Sequence, residues 1–134
     1  MKKLEQLAFD IFAPKDAQTV TEWAIDNIVI PSSISAYGGN YKPINKYVIE
    51  PLNRAGELGT ERLVLNWSTQ ASKTLCMSII LLNGIATNPR TSLVVFPSAE
   101  LGRRYSIDRL QAIISASPNL HQYLPDNDDD YTNL

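Results

Sequence analysis

A chain of 134 residues, 44% hydrophobic and 19% charged, has the length and composition of one globular domain, which excludes wholesale disorder and limits it to a single core. The net charge of -2 excludes neither nucleic acid nor other partners, because Asp126, Asp128, Asp129 and Asp130 hold four of the 14 acids and leave the rest slightly basic. A single cysteine, Cys76, excludes an internal disulfide and fits a reducing compartment.

The opening stretch 1–18, MKKLEQLAFDIFAPKDAQ, carries acids within its short apolar part and lacks a small-residue cleavage site, so it does not read as a signal peptide. Over 16–30, Val20, Trp23, Ala24 and Asn27 recur at three- and four-residue steps. That spacing predicts a short amphipathic helix, capped by Thr19 or Thr21 and ending near Pro31. The stretch PSSISAYGGNYKP at 31–43 reads as a loop, with Gly38 and Gly39 permitting a tight turn. Helix resumes after Pro43, where Ile44, Tyr47, Val48, Pro51, Leu52 and Ala55 form one face. Gly56 or Gly59 should stop it, and Pro51 predicts a kink.

Two short apolar runs, RLVLNW at 62–67 and SLVVFP at 92–97, read as strands. Between them the apolar residues of 74–87 surround a helix almost completely, which predicts burial on most sides. Strand, helix and strand over about 35 residues make a βαβ unit with a right-handed crossover and a parallel sheet. A further helix, from Ala99 to about Ser115, turns Leu101, Tyr105, Leu110, Ile113 and Ile114 inward and stops before Pro118. The longest apolar run, 75–86, falls short of the roughly 20 residues of a bilayer span. The chain is therefore expected to be soluble, with no membrane partner.

The chemistry concentrates at 67–74, WSTQASKT. A phosphate-binding loop, G-x-x-x-x-G-K-[ST], stands between a strand and a helix. Its glycines let backbone N–H groups wrap phosphates, its Lys reaches the outer phosphates and its hydroxyl binds magnesium. Lys73 and Thr74 occupy the last two positions, while Trp67 and Ser72 stand where the pattern has glycine. The pattern by itself fits a βα turn with an exposed Lys and a capping Thr equally well. A Cβ at position 72 is disfavoured at positive φ by on the order of 1 kcal/mol and narrows the phosphate approach.

Further phrases add to this: TEWA at 21–24, YKP at 41–43, the run 62–65, STQASKT at 68–74, and SLVVFPSAELGRRYSIDRLQAIISASPNL at 92–120. In this order they resemble the start of the ATPase domain of phage terminase large subunits of the lambda packaging type. The resemblance implies an α/β fold: a three-layer, P-loop NTPase-like parallel sheet, here incomplete, with an N-terminal helical extension. It divides the chain into a helical lead-in (1–59), a βαβα core with the P-loop (60–117) and an acidic tail (118–134). By position it implies a nucleotide loop of Ser68, Thr69, Gln70, Ala71 and Ser72, with Lys73 as the catalytic contact to the β- and γ-phosphates and Thr74 on Mg2+. The implied cofactors are ATP and Mg2+. The implied partners are viral double-stranded DNA, the small terminase subunit and the portal ring, in the bacterial host cytoplasm. Arg103, Arg104 and Arg109 are the DNA-contact candidates, with a solvated helix face as the plainer reading.

No later apolar strand ends in the carboxylate pair that ATP hydrolysis requires, and no nuclease carboxylates are present. The segment alone is expected not to hydrolyse ATP efficiently. A terminase-like remnant acting as an interaction or DNA-binding module is the alternative. Asp126, Asp128 and Asp130 resemble the start of a calcium loop, but Tyr131 stands at the glycine position and the tail reads as solvated. His121 lacks ligand-spaced companions and receives no metal role. Trp23 and Tyr105 read as packing residues. Unpaired strand edges predict self-association.

Overall fold

The computed structural model describes residues 18–89 and 91–123. Helix α1, Val20–Asn27, begins on a capping box: the Thr19 hydroxyl accepts the Glu22 N–H at 3.3 Å, and the Glu22 carboxylate accepts the Thr19 N–H at 2.8 Å. The backbone bond from Thr19, then the one from its hydroxyl, hold the Glu22 carboxyl below its ordinary range. The helix is shorter than the 16–30 pattern predicts. Ile28 is already extended, and Val29–Ile30 form β1. Three β-branched residues in a row favour that conformation over another helical turn.

Strand β1 pairs antiparallel with β2, Gly39–Asn40, in the register Val29↔Asn40 and Ile30↔Gly39, so the stretch read as a loop contains a strand. Its two glycines have separate reasons. A Cβ on Gly38 would lie 3.1 Å from the Ser32 backbone, and Gly39 has φ +118°. A 3-10 turn, Lys46–Val48, then leads into α2, Ile49–Gly56. Pro51, where a kink is predicted within a longer helix, lies in the first turn of α2, where its missing N–H leaves no helical bond unmade.

Helix α3, Lys73–Thr87, packs on α1 and α2. Cys76, Ser78, Ile79 and Leu82 are its buried residues, while Met77 is 39% exposed, so the expected burial on most sides is not realised. The core runs through Trp23, Ile28, Leu52, Ile79, Ile113 and Leu120, joining the N-terminal helices to the later elements. The last helical stretch is one run in three pieces: α4, Ala99–Arg104; a π-helical segment, Tyr105–Gln111; and α5, Ala112–Ala116. Tyr105 and Ile113 are buried as predicted, but Leu101 is exposed. A 3-10 turn, Pro118–Tyr123, follows. Buried Ser117 fastens α5 to β1, its Oγ accepting the Val29 N–H at 2.8 Å and donating to the Ile113 carbonyl at 2.7 Å.

The expected parallel sheet is not formed among the described residues. The runs 61–68 and 91–96 carry no regular secondary structure, and the two-stranded β1–β2 ladder is the sheet present. Apolar patterning favours an extended chain, but a strand exists only when a neighbour takes its main-chain groups. Val64, Leu93 and Val95 are at least 75% exposed, as expected of runs without such a neighbour. No helix among the described residues is long and apolar enough to cross a membrane. The acidic cluster at 126–130 lies outside the described residues.

Candidate functional site

The loop 67–74 turns the chain from an irregular run into α3. At its start the Trp67 ring packs edge-on against Tyr47, centroids 5.0 Å apart, which anchors the loop to the 3-10 turn before α2. At its end Ser72 is the residue before the helix, with φ 62° and ψ 17°, and its carbonyl accepts the first helical bond, from Cys76 N–H at 2.9 Å. Ser72 makes no side-chain cap bond. Gln70 also has positive φ, at 58°. Two left-handed residues separated by Ala71 curl the loop tightly, at an expected cost of roughly 1–2 kcal/mol each for residues that bear a Cβ.

Lys73 folds back across this curl. Its Nζ donates to the carbonyls of Trp67 and Ser68, both at 2.6 Å. The ammonium thus closes the loop into a ring, with the N-terminus of the 15-residue helix α3 beneath it. Thr74 follows with an exposed side chain.

Cavities flank the helix start, among them one of about 560 Å³ lined by Arg62, Lys73, Thr74 and Met77. Another, of about 660 Å³, is lined by Tyr41, Val48, Gln70, Ser72, Leu75 and Cys76 among others, so the segment 30–45 forms a wall opposite the loop. Burial, helped by the neighbouring Cys76, pushes the Tyr41 phenol up to about 12, and burial pushes the Cys76 thiol up to about 11. Both groups are therefore neutral at physiological pH, while Asn40, Lys42 and Asn45 bring polar groups to the same cavity. A third cavity, of about 810 Å³, holds Thr74, Phe96, Arg104, Tyr105, Asp108 and Arg109. Its Tyr105 hydroxyl meets the Ser78 hydroxyl of α3 at 3.1 Å. Burial raises the Tyr105 phenol, opposed by that bond to Ser78.

Of the residues singled out by the motif, Ser68 and Lys73 are in direct contact, and Gln70 and Ser72 adopt the special backbone of a tight loop. Arg104 and Arg109 share a cavity with Thr74, whereas Arg103 does not line it. Arg104 pairs with Glu100 at 2.7 Å. Two features escape a reading of the motif. Tyr41 lines the cavity beside the loop from a distant segment, and its local signal is no more than the phrase YKP at 41–43. Ser78 is a polar residue set inside an apolar helix face, which is a sign that something polar meets it there.

A family model described as "Phage terminase large subunit gpA, ATPase domain" matches residues 35–134, which include the whole loop and the cavities' motif residues. No curated protein and no solved structure matches the chain.

Proposed function

The chain belongs to the ATPase-domain family of phage terminase large subunits of the gpA type, and we propose that it is a nucleotide-binding segment whose site is the loop closed by Lys73. The observation that carries this reading is the Lys73 ammonium spanning the Trp67 and Ser68 carbonyls over a left-handed Ser72. A loop that curls around one positive charge at a helix N-terminus is suited to curl around a phosphate that the same charge neutralises. Ser68, Thr69, Gln70, Ala71 and Ser72 would offer N–H groups, Lys73 would contact the β- and γ-phosphates, and Thr74 would hold Mg2+. When bound, Mg2+ neutralises phosphate charge.

The residues fit the nucleotide in a second respect. The cavity of about 660 Å³ beside Gln70 and Ser72 has the size for a base and sugar, and its lining offers polar groups from Asn40, Lys42 and Asn45 beside apolar ones such as Ile44. Against the fit stands the Ser72 Cβ, which weakens phosphate approach rather than abolishing it. Arg103, Arg104 and Arg109 are the candidates for sequence-independent contacts to the phosphates of viral double-stranded DNA. On this reading 62–67 and 92–97 would serve as strands of a parallel sheet once a neighbouring strand takes their main-chain groups. The small terminase subunit and the portal ring are the partners this reading assigns, in the bacterial host cytoplasm.

The test is calorimetric titration of the chain with Mg-ATP. Lys73→Ala removes the charge that closes the loop and should lower affinity by about tenfold or more. Equal affinity in wild type and Lys73→Ala would refute the assignment. Unaltered partner binding alongside absent nucleotide binding would favour a pure interaction module.

A further inference from the structure

Resting on the nucleotide reading above, we propose that Arg109 supplies positive charge to the outermost phosphate of ATP held on the loop, with Tyr105 positioning the turn that carries it. Thr74 and Arg109 line the same cavity, together with Arg104, Tyr105 and Asp108. Thr74 does not line the cavity that holds Tyr41; besides the cavity it shares with Arg109, it lines one of about 560 Å³ with Lys73, Glu61 and Arg62. A base and sugar on the Tyr41 side leave the terminal phosphate to the Thr74 side.

Among the three arginines of this helix, Arg109 is the one with both position and available charge. Arg103 does not line the cavity, and Arg104 is ion-paired with Glu100 at 2.7 Å. Arg109 has no ion-pair partner among the described residues. Asp108 lines the same cavity with the opposite charge, so its carboxylate opposes an anion there and its removal should favour one.

The turn carrying Arg109 is held in a specific way. The Ser78 hydroxyl has one proton, and it goes to the Thr74 carbonyl at 2.9 Å. In the 3.1 Å contact the Tyr105 O–H must therefore be the donor to Ser78, which makes a directed chain from Tyr105 through Ser78 to the backbone of Thr74. Phe96 packs against the Tyr105 ring at 4.9 Å and fixes its other side. The π-helical segment begins at Tyr105 and lies between the buried anchors Tyr105 and Ile113. Its wider turns accommodate an extra residue relative to an α-helix, and Asp108 and Arg109, which it carries at the surface, line the cavity. Such segments recur at functional sites because they re-aim side chains without breaking a helix.

The experiment is titration of the full chain with Mg-ATP and, separately, Mg-ADP, and with a short duplex DNA. Wild type should bind ATP more tightly than ADP. Arg109→Ala should lower ATP affinity about tenfold while ADP affinity stays within about twofold, with Arg109→Lys in between. Asp108→Asn should raise ATP affinity. Tyr105→Phe keeps the ring packing and loses the O–H, so it should reduce the ATP-to-ADP ratio in the same direction by about threefold. A merely structural tyrosine would weaken both nucleotides equally. An Arg109→Ala protein with the wild-type ATP-to-ADP ratio overturns the proposal, including the case in which only duplex DNA binding falls. Failure of the nucleotide reading itself is distinct: wild type and Lys73→Ala would then be alike toward both nucleotides.

Discussion

Ser72 is where the loop carries strain, and replacing it with glycine should make the protein more stable. Its φ of 62° and ψ of 17° lie in the left-handed region, where a Cβ costs about 1–2 kcal/mol. Its side chain makes no cap bond that the substitution would remove. Against the relief stands the larger conformational freedom that glycine adds to the unfolded chain, about 0.5–1 kcal/mol. The net gain is about 0.5–1 kcal/mol, which for a chain of this size raises the melting temperature by roughly 2–5 °C. Thermal unfolding followed by circular dichroism would measure this, with Ser72→Ala as the control because alanine keeps the Cβ. The same glycine should tighten Mg-ATP binding by opening the approach to the loop. The reasoning fails if Ser72→Gly melts at or below wild type, or if Ser72→Ala gains as much.

Other outcomes follow from the packing. Ser117→Ala leaves the part-buried Val29 N–H without its partner and should cost about 1–3 kcal/mol in urea unfolding; a change under about 0.5 kcal/mol would contradict the role of that bond. Alkali should weaken the fold through Cys76. Its thiol ionises near 9.0 when exposed but is pushed up to about 11 by burial, so its contribution is complete below about pH 9 and is lost as pH rises towards 11. Tyr41, raised from 10.0 to about 12, extends the loss upward, and equal urea midpoints at about pH 8 and about pH 10.5 would rule this out. Val64, Leu93 and Val95 are exposed on runs without partner strands and should drive a concentration-dependent dimer or higher oligomer. Light scattering that reports one monomeric mass at every concentration would refute it, and Val64→Lys with Leu93→Lys should abolish the association.

Much of the helical framework was legible in the chain itself. Thr19, one of two cap candidates, marks the start of α1, and the apolar density after Lys73 marks α3, because caps and helical periodicity act over a few residues. The loop 67–74 was equally visible as a pattern of Lys and Thr before a helix. Its strain could be anticipated at Ser72 but not at Gln70, since left-handed backbone at a non-glycine residue is imposed by closure of the loop. The β1–β2 pair and the missing parallel ladder were not legible, because a strand depends on a neighbour that local patterning does not name.

Sequence alone therefore marked the starts of α1, α3 and α4 and pointed to the family to which the chain belongs. Tertiary structure decided what those residues face. It folded Lys73 over two carbonyls, set Tyr41 across a cavity from Ser72, and joined Ser78 to Tyr105 across 27 positions and Val29 to Ser117 across 88. All but the Lys73 bonds, which span six and five positions, close long loops whose entropy is repaid only when the whole core is assembled, so no short stretch of sequence can announce them.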